Sequence, residues 1–351
     1  MVKSLHVVTS PARRGAETFA IELVAALHDR GDDADIAALH PTPSQNPYAM
    51  RVLGTGRRAP ATLRALRQAA QDVDVVVAHG SSTLEACSVA LAGSGTPFVY
   101  RFIGDPSYWT ASWHKQQLVR LLLRRPARYV ALWQGAGTQL AERYGLPSGR
   151  IGVIPNGVPE GRFSAVDGQR ERLRVRFDIP PGRPCLGFVG ALAPEKNLDV
   201  AIVAAARSDA HLLVAGDGPE RTRLETLAAR LAPGRVAFLG TLGDPREVYW
   251  ASDVLVLPSR SEGMPAVVIE AALAGVATVA TRVGALPDMI VDGETGFLVE
   301  PDRTDAFVAR VSDALSGAVD AGRRAQAAFE RRYTMGTVCE LWRATMLMTA
   351  S

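Results

Sequence analysis

Residues 258–281 read PSRSEGMPAVVIEAALAGVATVAT, an order of residue types that spells strand end, loop, helix and strand. The apolar run Asp253–Leu257 stops at Pro258, as a buried parallel strand does where it enters a loop. Pro265 falls where a first helical residue needs no backbone N–H, which predicts the helix start there. Apolar residues continue to Ala274, Gly275 suits the position just past a helix end, and Val276–Ala280 opens the next strand. Two carboxylates lie inside this unit, Glu262 in the loop and Glu270 in the helix, eight positions apart.

Eight residues, if helical throughout, rise about 12 Å, roughly the length of a sugar–diphosphate–ribose unit. The two acids are therefore spaced to accept hydrogen bonds from hydroxyls at both ends of one extended ligand. Between them the N–H groups of Ala266 and Val267 open the helix, where unpaired donors and the helix dipole favour a phosphate. Read singly, Glu262 is a solvated loop acid and Glu270 an exposed helix residue. Glu270 fits that poorly, because Val267, Val268, Ile269, Ala271, Ala272 and Leu273 leave little polar face around it.

Outward from this stretch the chain alternates strand and helix in two runs. The first has Leu5–Ser10, a helix from about Ala16, Asp35–Leu39, the strand ending in His79, Pro97–Phe102, Tyr129–Trp133 and Arg150–Ile154. The second has CLGFVG from Cys185, a helix over Asn197–Arg207, HLLVAG, a helix over Pro219–Leu231, VAFLG, and DVLVL. Such alternation predicts two doubly wound parallel α/β sheets, whose ligands sit beyond the carboxyl ends of the strands. Charged, proline-rich sequence over 160–184 marks the boundary, with Asn156-Gly157 before it supplying the φ > 0 positions of a tight turn.

Two motifs are set aside. Gly54-Thr55-Gly56-Arg57-Arg58-Ala59 matches a dinucleotide fingerprint, but it follows no convincing strand and lies in the proline- and glycine-bearing loop between Pro41 and Pro60. Asp72-Val73-Asp74 imitates a metal-binding DxD, yet it precedes a strand instead of ending one. It reads as a helix-to-strand loop.

Composition excludes other classes. The 351 residues suffice for two domains, and 47% hydrophobic with 21% charged residues describes a globular chain with an ample core. A net charge of +3 gives no reason to expect a nucleic-acid partner. Cys87, Cys185 and Cys339 are scattered in apolar sequence, which suits buried, reduced thiols in a cytoplasmic protein and offers no metal spacing. The reading expects no signal peptide and no membrane span, since no apolar stretch approaches the required length. Arginine dominates the basic residues, leaving only Lys3, Lys115 and Lys196 as lysines.

The motif EGMPAVVIE, followed by VGALPDMIVDGETGFLV over Val283–Val299, resembles the Glu-x7-Glu pattern of the retaining, nucleotide-sugar-dependent glycosyltransferases of family GT4. The likeness is strongest from Ile151 to Val299 and weaker before Gly145. It implies the GT-B fold, two Rossmann-like domains facing a cleft. The expected division is an acceptor-side domain over 1–160, a donor domain over 161–333, and a C-terminal helix over about 334–351 packing back on the first.

The resemblance also implies the site. Glu262 would hold donor sugar hydroxyls, Glu270 the ribose, and Lys196 the donor phosphate. Gly263, Met264, Ala266 and Val267 would lie against the donor, with Thr241 and Leu242 holding the base through backbone groups. No metal and no cofactor is expected, and no covalent nucleophile. The acceptor would be a glycan, a lipid-linked molecule or a small molecule.

Three departures stand out. Ala191 occupies the place of the family's phosphate-binding arginine; Arg14, Arg101, Arg260 and Arg282 are the candidates to replace it. Arg14-Gly15 stands where the family has a glycine pair meeting the diphosphate. Ile103-Gly104-Asp105 stands where many members carry a His-Asp or His-Gly, leaving Asp105 to orient an acceptor hydroxyl. A degenerate nucleotide-sugar binder and a sugar-nucleotide epimerase of the same fold stay open as alternatives. So does peripheral membrane contact through the leucine- and arginine-rich residues Val119–Arg128.

Overall fold

The computed structural model describes the whole chain except residues 44–45, 105–112, 165–166 and 351. Its backbone divides into two compact units, Met1–Pro159 with Tyr333–Ser351 and Glu160–Arg332.

In the first unit the strands are β1 (Lys3–Val8), β2 (Asp33–Ala38), β3 (Arg51–Val52), β4 (Val75–His79), β5 (Phe98–Arg101), β6 (Arg128–Ala131) and β7 (Ile151–Val153). Helices α1 (Gly15–His28), α2 (Pro60–Ala69), α3 (Ser81–Ala90), α4 (Trp113–Leu122) and α5 (Gln134–Tyr144) connect them. The sheet runs β3-β2-β1-β4-β5-β6-β7 and its strand pairs are all parallel. Fully buried valines on β4, β5 and β6 explain the unbroken apolar runs, since both faces of a parallel sheet are covered.

The second unit carries β8 (Cys185–Val189), β9 (His211–Ala215), β10 (Val236–Gly240), β11 (Val254–Leu257), β12 (Ala277–Thr281) and β13 (Gly296–Val299). Its helices are α6 (Gln169–Arg176), α7 (Leu198–Arg207), α8 (Arg221–Leu231), α9 (Arg246–Ala251), α10 (Ala266–Leu273), α11 (Leu286–Met289) and α12 (Thr304–Glu330). Strand order is β10-β9-β8-β11-β12-β13, all parallel. Counted from β8 this is the 3-2-1-4-5-6 order of the Rossmann fold. The expected α/β class and the two doubly wound sheets are both present.

The last helix, α13 (Met335–Ala350), belongs to the first unit. Its Met335, Val338, Cys339, Trp342 and Met346 share one core with Phe19, Leu23, Leu27, Val75 and Val99. The chain is pinned there by Val158 N–H donating to the Tyr333 carbonyl at 2.9 Å and Met335 N–H to the Val158 carbonyl at 2.7 Å.

Several local expectations need correction. Pro265 is the N-cap of α10, with extended ψ of 115°, and Ala266 is the first helical residue. Glu262 therefore lies in a non-helical loop, and the assumption of eight helical residues between the acids fails. The other end of α10 is as read: Gly275 has φ +75°, its N–H donates to Ala272 and that of Val276 to Ala271, a Schellman closure. Neither Asn156 nor Gly157 has positive φ. Gly157 is required for a different reason, because a Cβ there would stand 2.9 Å from the Val338 Cβ of α13.

The 41–60 stretch contains the edge strand β3, so the rejected fingerprint does lie between a strand and a helix. It remains no dinucleotide site. β3 is two strands from the β1/β4 switch point, and Gly54 is small because a Cβ would meet Thr62 Oγ1 at 2.1 Å. In the Asp72–Asp74 loop, Asp74 accepts the Lys3 N–H at 2.8 Å, a structural role. No helix among the described residues is long and apolar enough to cross a membrane.

Candidate active site

In the second unit the strand order reverses between β8 and β11, and the loops that leave these adjacent strands carry the chemistry. After β8 the chain forms a 3-10 turn over Pro194–Lys196, followed by Asn197 in the left-handed region. After β11 it runs through Ser259, Arg260 and Glu262 to α10. The Arg260 N–H donates to the Glu195 carbonyl at 2.8 Å, and its guanidinium to the Pro194 carbonyl at 3.1 Å. The two loops are thereby fastened together.

This fastening brings Lys196 to Glu262, with Nζ 2.8 Å from Oε1. The same carboxylate oxygen accepts the Ser259 hydroxyl at 2.7 Å. Ser259 is fixed in turn by the Thr281 hydroxyl, which donates to its carbonyl from the end of β12. Glu262 is buried and Lys196 about one-fifth exposed. A carboxylate sunk in protein with both bonds on Oε1 is rigidly aimed, and among the described residues Oε2 carries no hydrogen bond. The loop lies so close to residue 284 that a Cβ there would stand 2.0 Å from the Glu262 carbonyl; Gly284 has φ +56°.

Pro265 places the start of α10 directly after this loop, and no side chain caps it. The amino end of the helix thus offers N–H groups and a positive dipole end within the segment that carries Glu262. Gly263 is half-buried and Met264 buried; Ala266 and Val267 are half-buried. Glu270 lies one turn on, and its Oε2 accepts the Tyr249 hydroxyl of α9 at 2.6 Å. Burial raises the Glu270 carboxyl above its ordinary range, while the Tyr249 hydroxyl and Arg162 pull it down. The solvated-acid reading of both glutamates fails on these contacts. Past β10, Thr241 is exposed and Leu242 half-buried.

The candidate replacements for the missing arginine separate clearly. Ala191 is exposed. Arg260 adjoins the Lys196 turn but also pairs with Asp302 at 3.3 Å. Arg282 is paired with Glu300 at 3.0 Å and Asp292 at 3.8 Å. Arg14 is the exposed N-cap residue of α1, and Gly15 follows it with open space around its Cβ position and no positive φ. Packing does not account for a glycine there. Asp105 lies outside the described residues.

Arg101 is excluded as a replacement by its burial. It ends β5 and is 1% exposed, with its guanidinium donating to Asn156 Oδ1 and His79 Nδ1 and lying 3.8 Å over the Phe19 ring. Since an arginine only donates, His79 must carry its proton on Nε2, which faces His6 Nδ1 at 3.1 Å. Both histidines are thereby neutral, with burial and the Arg101 charge pushing His6 down to about 3 and His79 well below its usual value. Burial likewise lowers Arg101, to about 9. This cluster belongs to the first unit's interior. Among the described residues no group of acids, histidines and cysteines could hold a metal ion.

Residues 169–331 match the model for glycosyl transferases group 1, and residues 13–162 that for glycosyltransferase family 4. Over 191 residues the chain is 36% identical to the 2-deoxystreptamine glucosyltransferase of Streptomyces kanamyceticus, covering 52% of this chain and 49% of that one. It is 34% identical to the D-inositol 3-phosphate glycosyltransferase of Nocardia farcinica over 68% of this chain and 54% of that one. The chain thus spans about half the length of the curated relatives it matches. Among solved structures, Anabaena HepE in complex with UDP superposes with a TM-score of 0.87 at 21% identity, over 99% of this chain and 100% of that one. The protein belongs to the family 4, group 1 glycosyltransferases and has the GT-B fold.

Sequence reading did not find Ser259, Thr281 or Tyr249. Serine and threonine at strand ends carry no distinguishing pattern. Tyr249 stood in a helix that reads as ordinary core.

Proposed function

We propose that the protein is a retaining glycosyltransferase that moves a sugar from a nucleoside diphosphate sugar to a hydroxyl of an acceptor without a metal ion. The observation that carries this reading is the Lys196–Glu262 pair at the switch point of the second sheet, beside the start of α10. Breaking the bond from C1 to the diphosphate puts negative charge on a phosphate oxygen. A preorganised ammonium and a helix amino end stabilise charge developing there. Lys196 takes the phosphate, Glu262 turns its open oxygen to sugar hydroxyls, and Glu270 accepts the ribose hydroxyls. Thr241 and Leu242 flank the base. No side chain forms a bond to the sugar. The leaving phosphate oxygen accepts the proton of the attacking hydroxyl on the same face, so configuration is retained.

Incubation with labelled UDP-, GDP- and ADP-sugars and a panel of glycan, lipid-linked and small-molecule acceptors tests this, with a chelator present throughout. Transfer with the anomeric configuration kept is expected. The exposed Ala191 favours a second reading, a binder that holds the donor without turnover, which predicts saturable binding and no product. An isomerised donor would indicate an epimerase.

The two acids separate by kinetics. Glu270→Ala should weaken nucleotide binding, and Glu262→Ala should depress kcat more than nucleotide affinity, each by about 10- to 100-fold. Equal, small changes in donor KM and kcat for both variants would rule out these roles.

Peripheral membrane contact has support in α4, where Leu118 and Leu121 are exposed beside exposed Arg120 and Arg124. Leu123, in contrast, is fully buried. Co-sedimentation with anionic vesicles at low salt, abolished by Leu118→Ser with Leu121→Ser, is the expected result; failure to sediment removes the idea. Reduced thiols at Cys87, Cys185 and Cys339, all buried, fit a cytoplasmic setting for the reaction.

A further inference from the structure

Tyr249 is fully buried in α9, and its ring packs against Phe163, a residue distant in sequence. Phe163 packs edge-on against it with centroids 5.8 Å apart, and Phe163 is itself anchored by the Trp250 indole N–H, which donates to its carbonyl at 3.0 Å. Arg246 adds a hydrogen bond to the Arg162 carbonyl at 3.1 Å. A tyrosine so confined has one direction for its hydroxyl, and it points at Glu270 Oε2 over 2.6 Å.

We infer that Tyr249 is a positioning residue for nucleotide recognition: by occupying Oε2 of Glu270 it keeps that carboxylate ionised and turns Oε1 toward the ribose hydroxyls. This rests on the reading of Glu270 as the ribose acceptor. The charged groups facing Glu270 are Arg162, which favours its ionised form, and Asp244, which opposes it. Burial is the largest influence and also opposes ionisation, so the Tyr249 hydrogen bond is a principal counterweight. A protonated Glu270 would donate one proton where a ribose diol needs acceptors, and nucleotide affinity would fall.

The sign follows directly. Removing the hydroxyl raises the folded-state carboxyl further, so protonation begins at higher pH and the acid limb of nucleotide binding moves upward. The test is Tyr249→Phe in the full chain, titrated with UDP, GDP and ADP across about pH 5.5–9. The tightest binder is then paired with its 2′,3′-dideoxy form. The acid limb should move up by about one pH unit, giving roughly fivefold weaker binding at the wild-type midpoint, approaching about tenfold below it, and near-normal binding at the alkaline end. The dideoxy nucleotide should bind wild type and variant alike. A merely structural role for Tyr249 would weaken both nucleotides at every pH.

An unmoved limb with undiminished ribose discrimination overturns the inference. If Glu270→Gln also keeps full discrimination against the dideoxy form, the ribose assignment itself has failed, which separates the two failures. Should Tyr249→Phe not fold, Glu270→Asp withdraws the carboxylate from the hydroxyl by one methylene and must show the same upward shift. An unshifted limb in that variant overturns the inference equally.

Discussion

Lys196→Ala should lower kcat/KM for sugar transfer by about a thousandfold, the scale of losing a principal stabiliser of transition-state charge. Two effects combine. The departing phosphate loses the ammonium it would meet, and Glu262, buried with Oε1 shared between Lys196 and Ser259, loses its charged partner. Leaving such a group short of a partner costs about 1–3 kcal/mol, so some loss of thermal stability accompanies the loss of transfer. Lys196→Arg should rescue poorly, because a planar fork does not replace a compact ammonium in a turn built to present one atom. Ala191→Arg is the complementary variant: that position is exposed, so the guanidinium has room, and donor binding should tighten. Weaker binding would mean that another cation already serves the phosphate, with Arg14 or Arg282 the first to examine. Full transfer by Lys196→Ala would place the phosphate elsewhere.

Gly284→Ala should also be damaging, although residue 284 itself carries no side chain to contact substrate. Its Cβ would stand 2.0 Å from the Glu262 carbonyl oxygen and 2.8 Å from that of Gly263, so the loop bearing Glu262 must move. The Ala285 N–H also donates to the Gly263 carbonyl at 2.9 Å, which leaves that loop little freedom to shift alone. A fall in kcat of about a hundredfold is expected, as displacement by an ångström at a reacting centre can cost that much. Gly275→Ala is the control. Gly275 has a similar φ, +75°, but its Cβ would meet only the Gln326 side chain at 3.6 Å. It should lose about 1 kcal/mol of stability from backbone strain and keep its kcat. Equal kinetics for the two variants would show that the collision at residue 284 is harmless.

The parts of this site that could be read in the sequence are those that obey a period or a punctuation rule. Apolar runs ended by glycine or proline marked the strands, and Gly275 closed α10 as such a residue should. The acids announced themselves by position within one strand–loop–helix unit. What stayed hidden depends on contacts between distant segments. Tyr249 looks like core until Glu270 is placed over it, and Ser259 is one serine among many until Thr281 and Glu262 converge on it. Gly157 reads as a turn residue because Asn-Gly often makes a turn; its real constraint is Val338, 181 positions along the chain. Arg101 offers itself in sequence as a phosphate cation, whereas at the end of β5 it is buried against Phe19.

In the proposed reaction the diphosphate of the donor is held at the switch point of the second sheet. A crystal structure with a bound nucleoside diphosphate tests it most directly. The β-phosphate is expected within hydrogen-bond reach of Lys196 Nζ and the first N–H groups of α10, with the ribose hydroxyls on Glu270. A diphosphate bound away from α10, with Lys196 and Glu262 still paired at 2.8 Å, would contradict it.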